Sequence, residues 1–119
     1  MKHMKFSGIV QKGNKRGTAL GYPTANIAVS YMVLSGIYVA RVQCEGKEYP
    51  AAAFADEKRG VLEAYLLDVG VDLYGKEITV ELLEKLRESK VFDNDAALRT
   101  AIADDVKRVR DYFSKSKKS

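Results

Sequence analysis

The chain has 119 residues, 46% of them hydrophobic and 30% charged, with 20 Lys plus Arg against 16 Asp plus Glu and a formal charge of +4. One domain accounts for that length, and the composition can bury a core, which excludes a disordered polymer. A single Cys and a single His exclude an internal disulfide and the usual Cys/His zinc sites.

No apolar run approaches the roughly 18 residues that cross a bilayer, and the N-terminus lacks the apolar stretch of a secretory signal. A cytoplasmic protein fits these features, and any metal is expected on oxygen ligands, as Mg²⁺ is. The positive charge invites a nucleic-acid partner, but its location argues otherwise. Without Lys2, Lys5, Lys115, Lys117 and Lys118 the chain carries 15 basic and 16 acidic residues, a net of −1. The basicity sits at the ends.

Residues 5–11 read as a first strand. The next segment, Gly13-Asn14-Lys15-Arg16-Gly17-Thr18-Ala19-Leu20-Gly21-Tyr22-Pro23-Thr24-Ala25-Asn26, holds three of the nine glycines and two cations. Glycines let backbone approach phosphate closely, and successive N–H groups can form an anion-binding nest. Thr24 and Asn26 supply neutral oxygens of the kind Mg²⁺ accepts beside phosphate. An exposed Gly-rich turn is the plainer alternative. Neither the P-loop pattern nor G-x-G-x-x-G is present.

Residues 36–44 are rich in β-branched and aromatic side chains and read as a strand. Residues 48–56 follow more weakly, because Pro50 suits an edge or a strand start. Residues 61–69 alternate, with Val61, Glu63, Tyr65, Leu67 and Val69 on one face and Leu62, Ala64, Leu66 and Asp68 on the other. Glu63, in line with large side chains, is either a carboxylate at a barrel mouth, able to act as general base, or a charge at an exposed strand end. Residues 70–76 form a turn. Residues 77–87 read as a strand, although 81–87 could be helical by propensity. Arg87 could contact phosphate or stack on a ring, or pair with a neighbouring Glu on the surface.

Helical periodicity is strong only over 94–113, where Leu98, Ile102, Val106, Val109 and Phe113 make one stripe. Asp93, Asn94 or Asp95 can cap its start. The final residues 114–119 are Ser and Lys only and read as a flexible, solvated tail. Several short strands followed by one helix suggest a small antiparallel barrel packed by a C-terminal helix.

Five blocks, in order, resemble the riboflavin kinase (flavokinase) family. Arg16-Gly17 through Leu20-Gly21-Tyr22-Pro23-Thr24-Ala25-Asn26-Ile27 is similar to its Gly-rich stretch and Pro-Thr-Ala-Asn signature. Ser35-Gly36-Ile37-Tyr38 resembles its Gly-Val/Ile-Tyr strand, and Leu62-Glu63-Ala64-Tyr65-Leu66-Leu67-Asp68 its Glu-x-x-Leu-Leu-Asp strand. Asp72-Leu73-Tyr74-Gly75 and Leu86-Arg87-Glu88 with Phe92 complete the set.

The resemblance implies a mainly β fold, a six-stranded antiparallel Greek-key barrel with a C-terminal helix, as one domain over 1–119. It implies transfer of the ATP γ-phosphate to riboflavin, giving FMN and ADP, with Mg²⁺. Glu63 would be the catalytic base, and Thr24 and Asn26 would hold the metal. Gly13, Lys15, Arg16, Gly17 and Gly21 would flank ATP on a flap over 13–21, with Pro23 beside it, and Arg87 would lie on the flavin-side flap. The expected partners are these small molecules alone, with no nucleic acid and no membrane, and the expected state is a monomer. The sequence departs from the family at 53–60, where bacterial members carry Asn-x-Gly-x-x-Pro-Thr and a longer loop. Thr18 stands where an Arg is frequent. A chain this short is expected to lack the adenylyltransferase domain that makes FAD. A non-catalytic flavin- or nucleotide-binding barrel and a nucleic-acid-binding barrel are the competing readings.

Overall fold

Burial on both faces shapes the central strand. In β3 (Gly36–Cys44), Tyr38, Ala40, Val42 and Cys44 enter one apolar cluster while Val39 enters another on the opposite side. That double burial explains why 36–44 is apolar almost throughout instead of alternating with polar residues.

The computed structural model describes residues 4–12, 16–30 and 34–116. Around β3 lie β1 (Met4–Ile9), β2 (Ala25–Ala28), β4 (Lys47–Asp56), β5 (Val61–Leu66) and β6 (Glu77–Arg87). All pair antiparallel, in the order β1-β6-β3-β4-β5-β2. Hairpins join β3, β4 and β5, and β6 returns through 67–76 to lie beside β3, which is Greek-key order. The outermost strands of that order meet. The Gln11 N–H donates to the Asn26 carbonyl at 2.8 Å, and a Cβ on Gly8 would come within 3.2 Å of the Ile27 Cβ. The sheet is therefore nearly closed, and the six-stranded barrel expected from the sequence is the fold observed.

Ile27, Val42, Leu62, Ile78 and Val80 fill the barrel interior. The helix α2 (Asp95–Ser116) covers the outside of β3 and β4, where Ile102, Val106 and Val109 pack on Val39, Ala52 and Leu67. Ala51-Ala52-Ala53 is fully buried, Ala52 under the helix and its neighbours in the barrel. Small side chains there let α2 approach the sheet closely. Each large apolar side chain buried on α2 contributes about 1.5–3 kcal/mol, so packing rather than propensity holds the helix. Asn94 is the cap: its Oδ1 accepts the Ala97 N–H at 2.8 Å.

Several boundaries differ from the sequence expectation. The strand 61–69 stops at Leu66, because Asp68 adopts φ 60 and turns the chain. Pro50 lies inside β4, yet the ladder to β5 ends at Ala51↔Leu66 and the Pro50 carbonyl accepts Leu67 N–H at 2.9 Å. Pro50 makes only half of the next pair, as acceptor, so the β4–β5 ladder stops where the missing donor falls. The stretch 81–87 is strand rather than helix, held by pairing to β3 across two register shifts. A four-residue helix, α1 (Arg16–Ala19), occupies part of the expected flap. The helix α2 runs to Ser116, into the segment expected as a tail, and residues 117–119 lie outside the described residues.

Candidate functional site

The site grows from the shortest strand. Ile27 of β2 points inward and is fully buried, so its neighbour Asn26 faces outward. Asn26 stands directly opposite Glu63 of β5, and directly opposed residues share a face. Thr24, just before β2, closes the group. Its Oγ1 donates to Glu63 Oε1 at 2.9 Å and lies 3.3 Å from Asn26 Oδ1. Arg59 Nη1 is 3.7 Å from the other Glu63 oxygen, Oε2.

Three oxygens therefore converge at the surface of β2 and β5. Adjacent ligands of an octahedral Mg²⁺ at about 2.0–2.1 Å lie roughly 3 Å apart. The Thr24 and Asn26 oxygens, at 3.3 Å, fit one such edge. The donors are a hydroxyl and an amide carbonyl, which suits an ion that also takes phosphate oxygens.

A cavity of about 630 Å³ opens beside this group, lined by Thr18, 23–26 and 69–74. Its lining mixes the polar side chains of Lys12, Thr24 and Asn26 with apolar ones such as Val71, Leu73 and Tyr74. Lys12 Nζ sits 5.6 Å from the centroid of the Tyr74 ring, at the cavity mouth.

Strand registers extend the site in the other direction. Asn26 opposes Glu63, Glu63 opposes Phe54, Phe54 opposes Ile37, and Ile37 opposes Arg87. The five form one row across the outer face of the barrel. At about 4.8 Å per strand, Glu63 and Arg87 stand roughly 14 Å apart, with the half-buried Phe54 and the buried Ile37 between them. Arg87 is committed to a buried partner on α2: its Nε and Nη2 donate to Asp105 Oδ1 and Oδ2 at 2.9 and 2.8 Å.

The family model described as "Flavokinase: Riboflavin kinase" matches residues 1–113. The chain belongs to the riboflavin kinase family. It is 33% identical over 120 residues to the bifunctional riboflavin kinase/FMN adenylyltransferase of Buchnera aphidicola subsp. Acyrthosiphon pisum, covering 92% of this chain. The chain spans 38% of that relative's length. The riboflavin kinase from Trypanosoma brucei superposes with a TM-score of 0.67 at 29% identity, covering 97% of this chain and 82% of that one. A Streptococcus pneumoniae chain named a macrolide-efflux protein superposes with a TM-score of 0.79 at 30% identity, covering 91% of this chain and 38% of that one. No described helix of the present chain is long and apolar enough to cross a membrane.

Of the residues singled out from the family blocks, Thr24, Asn26 and Glu63 come together, and Pro23 lines the cavity beside them. Arg16 and Gly17 begin α1, and the turn after it is closed by Gly21 N–H on the Thr18 carbonyl at 3.0 Å. Gly13 and Lys15 lie outside the described residues. Arg87 lies on the same face, three strands from Glu63. Residue patterns did not single out Lys12, Arg59 or Asp105. The Asp72-Leu73-Tyr74-Gly75 block was the one signal for the 69–74 part of the cavity lining, and it read only as a turn.

Proposed function

We propose that this chain is a riboflavin kinase that transfers the γ-phosphate of ATP to the terminal ribityl hydroxyl, giving FMN and ADP. One observation carries the proposal: in a barrel of this family, Thr24, Asn26 and Glu63 converge within hydrogen-bonding range beside a cavity of mixed polar and apolar lining.

ATP would enter that cavity with its base against Val71, Leu73 and Tyr74 and its phosphates toward Thr24 and Asn26. Lys12 would add positive charge from the cavity lining, and Lys15 and Arg16 from the flap over 13–21. Gly13, Gly17 and Gly21 would let the flap backbone lie close to the phosphates. Thr24 and Asn26 would hold Mg²⁺, which when bound neutralises charge on the phosphates. Phosphoryl transfer needs mostly positioning and charge neutralisation, and a small barrel supplies both.

Riboflavin would lie along the outer row. Its ribityl end would reach Glu63, its ring system would lie against the half-buried Phe54, and Arg87 would stand on the flavin side. Glu63 would take the hydroxyl proton as the oxygen bonds to the γ-phosphorus and ADP departs. The chain would act as a monomer in the cytoplasm, where ATP is abundant.

Steady-state turnover of riboflavin with MgATP tests this. Glu63→Ala is expected to lower kcat by about 10²–10⁴ with the thermal transition retained. An intact Glu63→Ala variant with near wild-type kcat would remove the base role. Flavin binding without FMN formation by the wild-type chain would favour a non-catalytic barrel.

A further inference from the structure

The turn from β4 to β5 is the segment that departs most from the family pattern, and it is short and well closed. Arg59 N–H donates to Asp56 Oδ1 at 3.1 Å, Gly60 N–H to the Glu57 carbonyl at 3.2 Å, and Val29 N–H to the Gly60 carbonyl at 2.8 Å. Gly60 sits at φ +63, which a residue with a Cβ rarely adopts. These bonds fix where the Arg59 side chain starts. Its guanidinium turns back over β5, with Nη1 3.5 Å from Asp56 Oδ2 and 3.7 Å from Glu63 Oε2.

An ion pair of this length, with the Arg59 side chain 47% exposed, adds little to folding. Its placement has a stronger chemical consequence. Thr24 addresses one oxygen of Glu63 and Arg59 faces the other. A hydroxyl approaching Glu63 therefore arrives within reach of a permanent positive charge.

We infer that Arg59 is a catalytic residue that neutralises the phosphoryl group in flight, an inference that rests on the kinase reading of the same site. Before transfer the guanidinium stands between two carboxylates, 3.5 Å from Asp56 and 3.7 Å from Glu63. As Glu63 takes the hydroxyl proton its negative charge disappears, and the pair with Arg59 weakens. The oxygen–phosphorus bond forms at the same place, and the bond from phosphorus to the β-phosphate oxygen breaks with its electron pair leaving on ADP. The charged phosphoryl oxygens then replace Glu63 as the second acceptor for the guanidinium, whose planar set of donors suits them. Asp56 anchors Arg59 throughout. A short turn carrying one arginine thus takes over a task beside the base in place of the longer family loop.

Arg59→Gln and Arg59→Lys in the whole chain, assayed for FMN formation at saturating MgATP, test this. Arg59→Gln is expected to lower kcat about 100-fold while the riboflavin KM moves less than about threefold. Arg59→Lys is expected to fall between it and the wild type, and added guanidinium ion to restore part of the lost rate to Arg59→Gln. The thermal midpoint of both variants should stay at the wild-type value, which separates a chemical loss from a structural one. A competent wild type whose Arg59→Gln variant keeps kcat within about threefold overturns the assignment alone. A wild-type chain that forms no FMN overturns the kinase reading and the assignment with it.

Discussion

Arg87 grips Asp105 in two parallel hydrogen bonds, 2.9 and 2.8 Å long, at the junction of β6 and α2. Asp105 is fully buried on the apolar face of the helix. Its cost of burial is offset only while the guanidinium is present. Removing one partner of a buried pair costs about 3–5 kcal/mol. Arg87→Ala, which strands the buried carboxylate, is therefore expected to lose that much stability in urea denaturation. A loss below about 1 kcal/mol would mean that Asp105 regains a partner or a proton without cost.

Gly36 is the second point where one side chain decides local structure. Its φ is +113, and a Cβ there would lie 2.8 Å from the Arg87 carbonyl oxygen and 2.8 Å from Lys85 Cε. Lysine can move, but the carbonyl belongs to the paired β3–β6 backbone. Gly36→Ala is expected to cost about 2 kcal/mol or more, since backbone strain and a clash combine. The same variant should shift β6 at Arg87, which amide chemical shifts of 85–88 would report. An unchanged thermal transition would contradict both expectations.

Thr24→Ala removes a hydroxyl from the oxygen cluster without touching the barrel core. The Mg²⁺ concentration giving half-maximal rate is expected to rise at least about tenfold, as when a metal-site oxygen is lost. The response of rate to free Mg²⁺ at fixed ATP measures it. An unshifted response would take Thr24 out of the metal site.

Long elements were legible from local pattern. The stripe from Leu98 to Phe113 is the packed face of α2, and the apolar run 36–44 is the doubly buried β3. The four residues of β2 were too few to show alternation, although they carry Asn26. Asp105 was hidden because it occupies a stripe position where only apolar residues are expected, and its partner is 18 residues away in sequence. Arg59 sat in a segment noticed for what it lacked. Its approach to Glu63 depends on how tightly 56–60 turns, a three-dimensional fact that residue types do not encode. Thr24, Asn26 and Glu63 were separately visible as family residues, but their convergence needed the β2–β5 register.

The central claim is that the Glu63 site turns riboflavin over. An endpoint incubation of the chain with riboflavin, ATP and Mg²⁺, resolved by chromatography into riboflavin, FMN and FAD, tests it most directly. FMN and ADP in equal amounts are the expected products. Riboflavin that stays unphosphorylated while its fluorescence is quenched by the protein would contradict it.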